Sequence, residues 1–184
     1  MVPDAELVHA IRKGDPVAAD QLVRRHYRAA YAVAYAVLCN VPDAEDACQD
    51  AFVRALERID DCRDPERFVY WMLRIVRNHA LNLLDRRRVR SGPSLDDVDS
   101  AGPGDSSYDA SSNELKALLE RALAKLSPVQ REVILLKHLE GWDHRAIAAT
   151  VDISEGMSRQ HAFEARRVLQ QELGEGFLKD YFGD

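Results

Sequence analysis

Apolar residues recur at intervals of three and four along nearly the whole chain, and β-branched residues nowhere alternate with polar ones over a useful length. The pattern predicts an all-α fold. A first short helix runs from about Pro3 to Lys13 and stops at Gly14. Asp15 caps the second, with Pro16 at the first helical position, where a missing amide hydrogen costs nothing. Its apolar stripe is Leu22, Val23, Tyr27, Ala30, Tyr31, Ala34 and Leu38, and it ends near Asn40. A third helix starts around Asp43 and buries Ala47, Ala51, Phe52, Leu56 and Ile59. After a polar turn from Asp60 to Glu66, a fourth runs from Glu66 to about Val89.

The periodicity then breaks. Residues 91–113, SGPSLDDVDSAGPGDSSYDASSN, are Ser, Gly, Pro and Asp almost throughout and cannot offset their ordering entropy by burial. They are expected to form a flexible acidic linker between two small helical domains, residues 1–90 and 114–173, with a tail at 174–184. Asn113 is placed to cap a helix running to Leu126, and Ser127, Pro128 and Gln130 spell a capping box with proline at its first position. The helix that follows ends at Gly141, a left-handed stop. A short helix from Asp143, a tight turn over Val151 to Ile153 and a longer helix capped by Ser154 then make a helix-turn-helix.

Composition adds mainly exclusions. The apolar stretch from Ala29 to Cys39 is too short and alanine-rich to span a bilayer, and the N-terminus lacks the basic-then-apolar order of a signal peptide. A cytoplasmic chain without membrane insertion is expected. Cys39, Cys48 and Cys62 cannot all pair and show no CxxC spacing, which points to buried reduced thiols. The six histidines are scattered, with no pair at i, i+4, so no metal site is expected. Neither a glycine-rich phosphate loop nor a nucleophile beside a base motif is present, so the chain reads as a non-enzyme without cofactors.

The net charge of −6 argues against a nonspecific nucleic-acid coat, but it averages over a strong pattern. Residues 1–61 carry 7 basic and 11 acidic side chains, residues 62–90 carry 8 and 3, residues 91–113 carry 5 aspartates and no basic group, and residues 114–173 carry 9 and 9. The basic segment is the fourth helix, which holds Arg74, Arg77, Asn78, Asn82, Asp85, Arg86, Arg87 and Arg88 together with Phe68, Tyr70 and Trp71. Cations neutralise phosphate, amides pair with base edges and aromatic rings stack on bases that have left the duplex, a mixture that suits melting DNA. Trp71, Met72, Ile75 and Val76 also read as packing residues, which leaves Trp71 on both surfaces. On the third helix, Asp46, Gln49 and Asp50 share one face opposite the Phe52 and Leu56 stripe, and read as an ordinary solvated face or a docking surface.

Three blocks, DAEDACQDAFVRALERI, RFVYWMLRIVRNHALNLLDRRRVR and LAKLSPVQREVILLKHLEGWDHRAIAATVDISEGMSRQHAFEARRVL, occur in the order and spacing of the extracytoplasmic-function (ECF) sigma factors of bacterial RNA polymerase, which the chain resembles over most of its length. The resemblance implies that residues 1–90 bind the polymerase clamp helices through Asp46, Gln49 and Asp50 and open the −10 element with the fourth helix. It also implies that the Asp60–Glu66 turn captures a flipped base, and that residues 114–173 read the −35 element and touch the polymerase flap. Ser158, Arg159, Gln160, His161, Phe163, Glu164 and Arg166 fall on the recognition helix, His161 and Arg166 as phosphate contacts. Core RNA polymerase, promoter DNA and an anti-sigma factor are the implied partners, and the linker aspartates would line the path that RNA later fills.

The sequence also departs from the family. Ser158 stands where a core valine is usual, Glu164 where arginine is common, and Asp152 where the turn has glycine, although aspartate enters the left-handed region more readily than most residues. Gln160 suits adenine, and Glu164 would accept from cytosine N4 or pair with a neighbour such as Arg167. Two other readings stay open: a helix-turn-helix regulator that works without polymerase, and a degenerate sigma that only sequesters its partners.

Overall fold

The computed structural model describes residues 2–91 and 110–174; the linker expected at 91–113, with its aspartates, and the tail at 174–184 lie almost wholly outside them. The described residues form helices α1 (Asp4–Arg12), α2 (Pro16–Leu38), α3 (Val41–Glu57), α4 (Phe68–Ser91), α5 (Ala110–Ala124), α6 (Pro128–His138), α7 (His144–Val151) and α8 (Glu155–Leu173). Two 3-10 turns, Ile59–Asp61 and Pro65–Arg67, lie between α3 and α4. Chain contacts divide the molecule into two compact units, the first holding α1, α2, α4 and α3 from Pro42 onward, and the second holding α5 to α8.

In the first unit, Gly14 takes the left-handed conformation at φ 87°. Asp15 Oδ1 then accepts from the Val17 and Ala18 amides at 2.9 and 3.3 Å, supplying partners that the first turn of α2 lacks. Helix α2 packs on α1 and α4. Every residue from Ala32 to Leu38 is buried, so the last two turns of this helix have no solvent face. That shifts the expected stripe: Tyr35 is buried, whereas Tyr27 is 37% exposed with its ring stacked on Phe52 at 6.4 Å. With alanine at so many positions, the large residues alone do not mark which side of α2 faces inward.

Helix α3 begins at Val41, two residues earlier than its sequence suggests, because Pro42 is harmless in a first turn and Cys39, at φ 51°, makes the corner. It buries Ala44, Ala47, Cys48, Ala51, Phe52 and Ala55; Leu56 is half-buried, and Ile59 is covered in the 3-10 turn that follows. Arg12, at the end of α1, donates to the carbonyls of Ile59 and Cys62 at 3.2 and 2.5 Å and so ties this turn to the bundle. Helix α4 covers Phe68, Met72, Leu73, Val76, His79 and Ala80, and leaves Trp71 and Ile75 half-buried. All three cysteines are free thiols, and burial pushes the Cys48 thiol pKa up to about 12, which keeps it protonated and inert.

In the second unit the capping box at α6 is complete. Ser127 Oγ accepts from the Gln130 amide at 3.3 Å, and Gln130 Oε1 accepts from the Ser127 amide at 3.0 Å. Helix α6 ends at His138, and Gly141, at φ 69°, turns the chain so that the Trp142 amide reaches the Leu136 carbonyl at 3.1 Å. Helix α5 starts at Ala110, which places Asn113 inside it and not at its cap. Asp143 caps α7 through the Ala146 amide at 2.7 Å, and Ser154 caps α8 through the Met157 amide at 3.1 Å. Between them Asp152 sits at φ 63°, ψ 50° as the left-handed C-cap of α7. Leu123, Leu126, Ile134, Leu136, Ile147, Val151 and Leu169 form the core. No helix among the described residues is long and apolar enough to cross a membrane.

The left-handed Asp152 is a local weak point with a direct test. Asp152→Val, which puts a β-branched side chain at positive φ, is expected to destabilise the second unit by about 1–2 kcal/mol. Asp152→Gly is expected to leave it at least as stable as the parent. Urea unfolding of the three proteins checks the order, and equal midpoints would show that the turn is not strained.

Candidate nucleic-acid interface

Helix α4 divides its circumference sharply. Arg74, Asn78, Asn82, Asp85, Arg86 and Val89 are exposed and recur at three and four, so they share one face, opposite buried Met72, Val76 and Ala80. Trp71 flanks the start of that row, half-buried with its ring tilted against Phe68 at 5.9 Å. Arg77 is half-buried at the edge. Arg87 differs from the free cation expected of it, since it forms an ion pair with Asp43 of α3 and so ties the two helices. The side chain of Arg88 lies outside the described residues. In the preceding turn Arg58 pairs with Asp61 at 2.8 Å and Arg67 with Asp64 at 3.6 Å, while Cys62 is buried beneath.

On α3, Asp46, Gln49 and Asp50 are all exposed. Val53, 55% exposed, extends their face by one turn, an apolar neighbour that the polar pattern had hidden. Behind this face lies His79, buried on α4. Arg54 Nη1 approaches its Nδ1 at 2.7 Å, and Asp50 Oδ2 lies 3.4 Å from its Nε2. A guanidinium only donates, so Nδ1 accepts and the ring proton sits on Nε2, toward Asp50. Burial first and the Arg54 charge second lower the pKa of His79 and favour the neutral ring.

In the second unit α8 shows solvent Met157, Arg159, Gln160, Phe163 and Arg167, with Phe163 68% and Met157 47% exposed. Met157 and Arg167 were not among the sequence candidates, and their spacing from Gln160 at three and seven was the available signal. Arg159 is held by Glu155 at 2.5 Å. Arg166 and His161 are half-buried.

Two expected contacts need correction. Ser158 is fully buried and its hydroxyl lies 3.0 Å from His144 Nδ1 on α7, so it joins the two helices of the motif and has no access to a groove. Glu164 is no free acceptor for cytosine; it pairs with neighbours, the other alternative, although these are Gln160, Gln130 and His161 and not Arg167. Its Oε1 accepts from Gln160 Nε2 at 2.9 Å and its Oε2 from Gln130 Nε2 at 3.1 Å, with His161 Nδ1 at 3.6 Å. The bonds from Gln160 and then Gln130 lower the pKa of Glu164 and hold it as a carboxylate.

A model of sigma-70 region 2 matches residues 22–90, and one of sigma-70 region 4 matches residues 116–169. The chain is 30% identical over 171 residues to the ECF RNA polymerase sigma factor SigM of Mycobacterium tuberculosis, covering 93% of this chain and 85% of that protein. It is 30% identical over 182 residues to the ECF RNA polymerase sigma-E factor of Escherichia coli, covering 92% and 94%. Similarity to the ECF RNA polymerase sigma factor SigE of Mycolicibacterium smegmatis is 31% over 157 residues; this takes in 84% of the chain, which spans 61% of that longer protein. Among solved structures, CnrH in complex with the cytosolic domain of CnrY matches with a TM-score of 0.68 at 29% identity, over 92% of this chain and 96% of that one. The sigma factor RpoE in complex with the anti-sigma factor NepR, from Bartonella quintana, shares the fold at a TM-score of 0.70 and 24% identity, over 85% and 96%.

The buried ring between α3 and α4 makes stability depend on pH in a defined direction. Its folded pKa lies below the ordinary 6.5, so in the window beneath that value the unfolded chain binds a proton that the native unit does not, and stability falls as the pH drops. His79→Gln keeps an acceptor for Arg54 and cannot titrate. From about pH 7.5 to about pH 5.5 the parent is expected to lose more unfolding free energy than this variant, the remaining loss including His144, whose pKa burial also lowers. Parallel urea-unfolding curves against pH would show that His79 titrates alike in both states.

Proposed function

The chain belongs to the ECF RNA polymerase sigma factor family, and from that premise we propose that it docks on core RNA polymerase through α3, opens the −10 element with α4 and reads the −35 element with α8. The observation that carries this reading is the pairing of two unlike exposed faces on helices that polar bonds hold together. Asp46, Gln49, Asp50 and Val53 offer acid, amide and apolar contact to a basic partner surface on the clamp helices, while Arg74, Asn78, Asn82 and Arg86 offer phosphate neutralisation and base-edge hydrogen bonds. The protein supplies no bond-making chemistry in this role; it supplies binding energy and orientation to the polymerase. The second unit touches the flap and places α8 in the major groove, where Arg159, Gln160 and Phe163 meet the DNA and Arg166 and His161 approach the backbone.

The linker aspartates, Asp96, Asp97 and Asp99 among them, run through the channel that nascent RNA later occupies, where they stand in for RNA phosphates against basic walls. An anti-sigma factor is the remaining partner, a reading supported by the neighbouring structures, in which CnrH is bound by CnrY and RpoE by NepR. A regulator independent of polymerase would leave the α3 face without a task, and copurification with core polymerase separates the two. A purely sequestering sigma is the reading that buried Ser158 and bonded Glu164 favour; run-off transcription on genomic fragments decides it.

Asp46 gives the cleaner probe of docking, since Asp50 also faces His79. Asp46→Arg sets a like charge against a basic partner and is expected to weaken copurification with core polymerase about tenfold or more, with helicity unchanged. Undiminished recovery removes α3 from the interface. Replacing Asp96, Asp97 and Asp99 by serine is expected to leave polymerase affinity nearly intact and to change the ratio of abortive to full-length transcripts. Identical product ladders would reduce the linker to a tether.

A further inference from the structure

Gln130 lies on α6, outside the recognition helix, and both ends of its amide are in use. The oxygen accepts from the Ser127 amide at 3.0 Å as half of the capping box; the nitrogen donates to Glu164 Oε2 at 3.1 Å. The other carboxylate oxygen takes one hydrogen from Gln160 Nε2 at 2.9 Å. A carboxylate only accepts, so both amides must turn their nitrogens toward it, and the orientation of each is set by chemistry. Gln160 is exposed and spends one N–H on Glu164. Its second N–H and its oxygen remain, and these are the donor and acceptor that adenine N7 and N6 require.

On the reading that α8 enters the major groove, we infer that Gln130 and Glu164 are positioning residues that hold the Gln160 amide ready for adenine at one base of the −35 element. Glu164 does not touch the DNA. It converts a fixed point on α6 into the direction of a side chain on α8. An unbraced glutamine would sample several rotamers and present oxygen or nitrogen to the base indifferently, which weakens discrimination without abolishing binding.

The dual use of Gln130 allows bracing to be separated from capping. Gln130→Glu keeps an acceptor for the Ser127 amide, the usual acidic form of a capping box, but it loses the donor and faces Glu164 with a like charge. The double variant Gln130→Glu/Glu164→Gln reverses donor and acceptor and restores both bonds, with Gln160 still donating. Polymerase reconstituted with each full-length protein transcribes a promoter library randomised across the −35 element, and thermal stability is measured alongside. The parent is expected to prefer adenine at one position. Gln130→Glu is expected to lose that preference by about fivefold or more while keeping the parent's melting temperature and −10 preference, and the double variant to recover it. The inference is overturned if the single variant keeps the parent's −35 preference, if it lowers transcription uniformly at every base, or if the double variant does not recover adenine. A parent that transcribes with no −35 preference at all overturns the groove-reading assignment itself, and the brace with it.

Discussion

The first unit depends on how α4 lies against α2. Phe68, Met72, Leu73 and Val76 are all but fully covered, and burial of side chains of this size is worth about 1.5–3 kcal/mol each. The ion pair of Arg87 with Asp43, partly open to water, contributes less than about 1 kcal/mol by comparison. Packing therefore sets the rotation of α4 about its own axis. Because the helix repeats every 3.6 residues, that one choice fixes the opposite row from Arg74 to Val89 as the outward surface. Its cations could not turn inward without leaving charge unpaired in the core.

The polar contacts between α3 and α4 have a different task. Asp43 to Arg87, Arg54 to His79 and Asp50 beside the same ring join the helices at both ends of their overlap. Such bonds add little net stability but are geometrically demanding, since each loses its value within a few tenths of an ångström. They link the α3 face to the α4 row. A ligand at one face then meets the other in a defined place, as a protein must if polymerase and DNA are to be brought together through it.

Much of this was legible in the sequence wherever the determining signal was local. Asp15 with Pro16, Ser127 with Gln130, Gly141, Asp152 and Ser154 each act within about one and a half helical turns of their partners, and the turns they mark stand where the pattern placed them. The misreadings share a cause as well. Tyr27 and Tyr35 both suit an amphipathic α2, and only the packing of alanines against neighbouring helices separates them. Ser158 groups with the DNA contacts because it falls on the recognition helix, although it stands where a core valine is usual, and His144, fourteen residues away, satisfies its hydroxyl inside the core. Glu164 finds Gln130 at a separation of thirty-four residues, and Asp43 finds Arg87 at a greater one still, with no periodicity to announce either. Val53 was hidden for the opposite reason, being an apolar residue on a face defined by its polar members.

Two of the three departures from the family pattern in the second unit share a physical consequence. At position 158 an apolar contact gives way to a hydrogen bond between α7 and α8, and at position 164 a cation gives way to a carboxylate bonded to α6. Both changes spend polar groups inside the unit, and the second also removes positive charge from α8. Residues 114–173 carry equal numbers of acidic and basic groups, and Arg159, one of the outward cations, is already held by Glu155. If the two units meet DNA as proposed, phosphate attraction, which supplies most sequence-independent affinity, is accordingly small for this unit and large for α4 in its segment of 8 basic and 3 acidic residues. In a protein that works as proposed, the first unit and the polymerase hold the promoter, and the second unit is free to discriminate among sequences through the rigid placement of a few side chains.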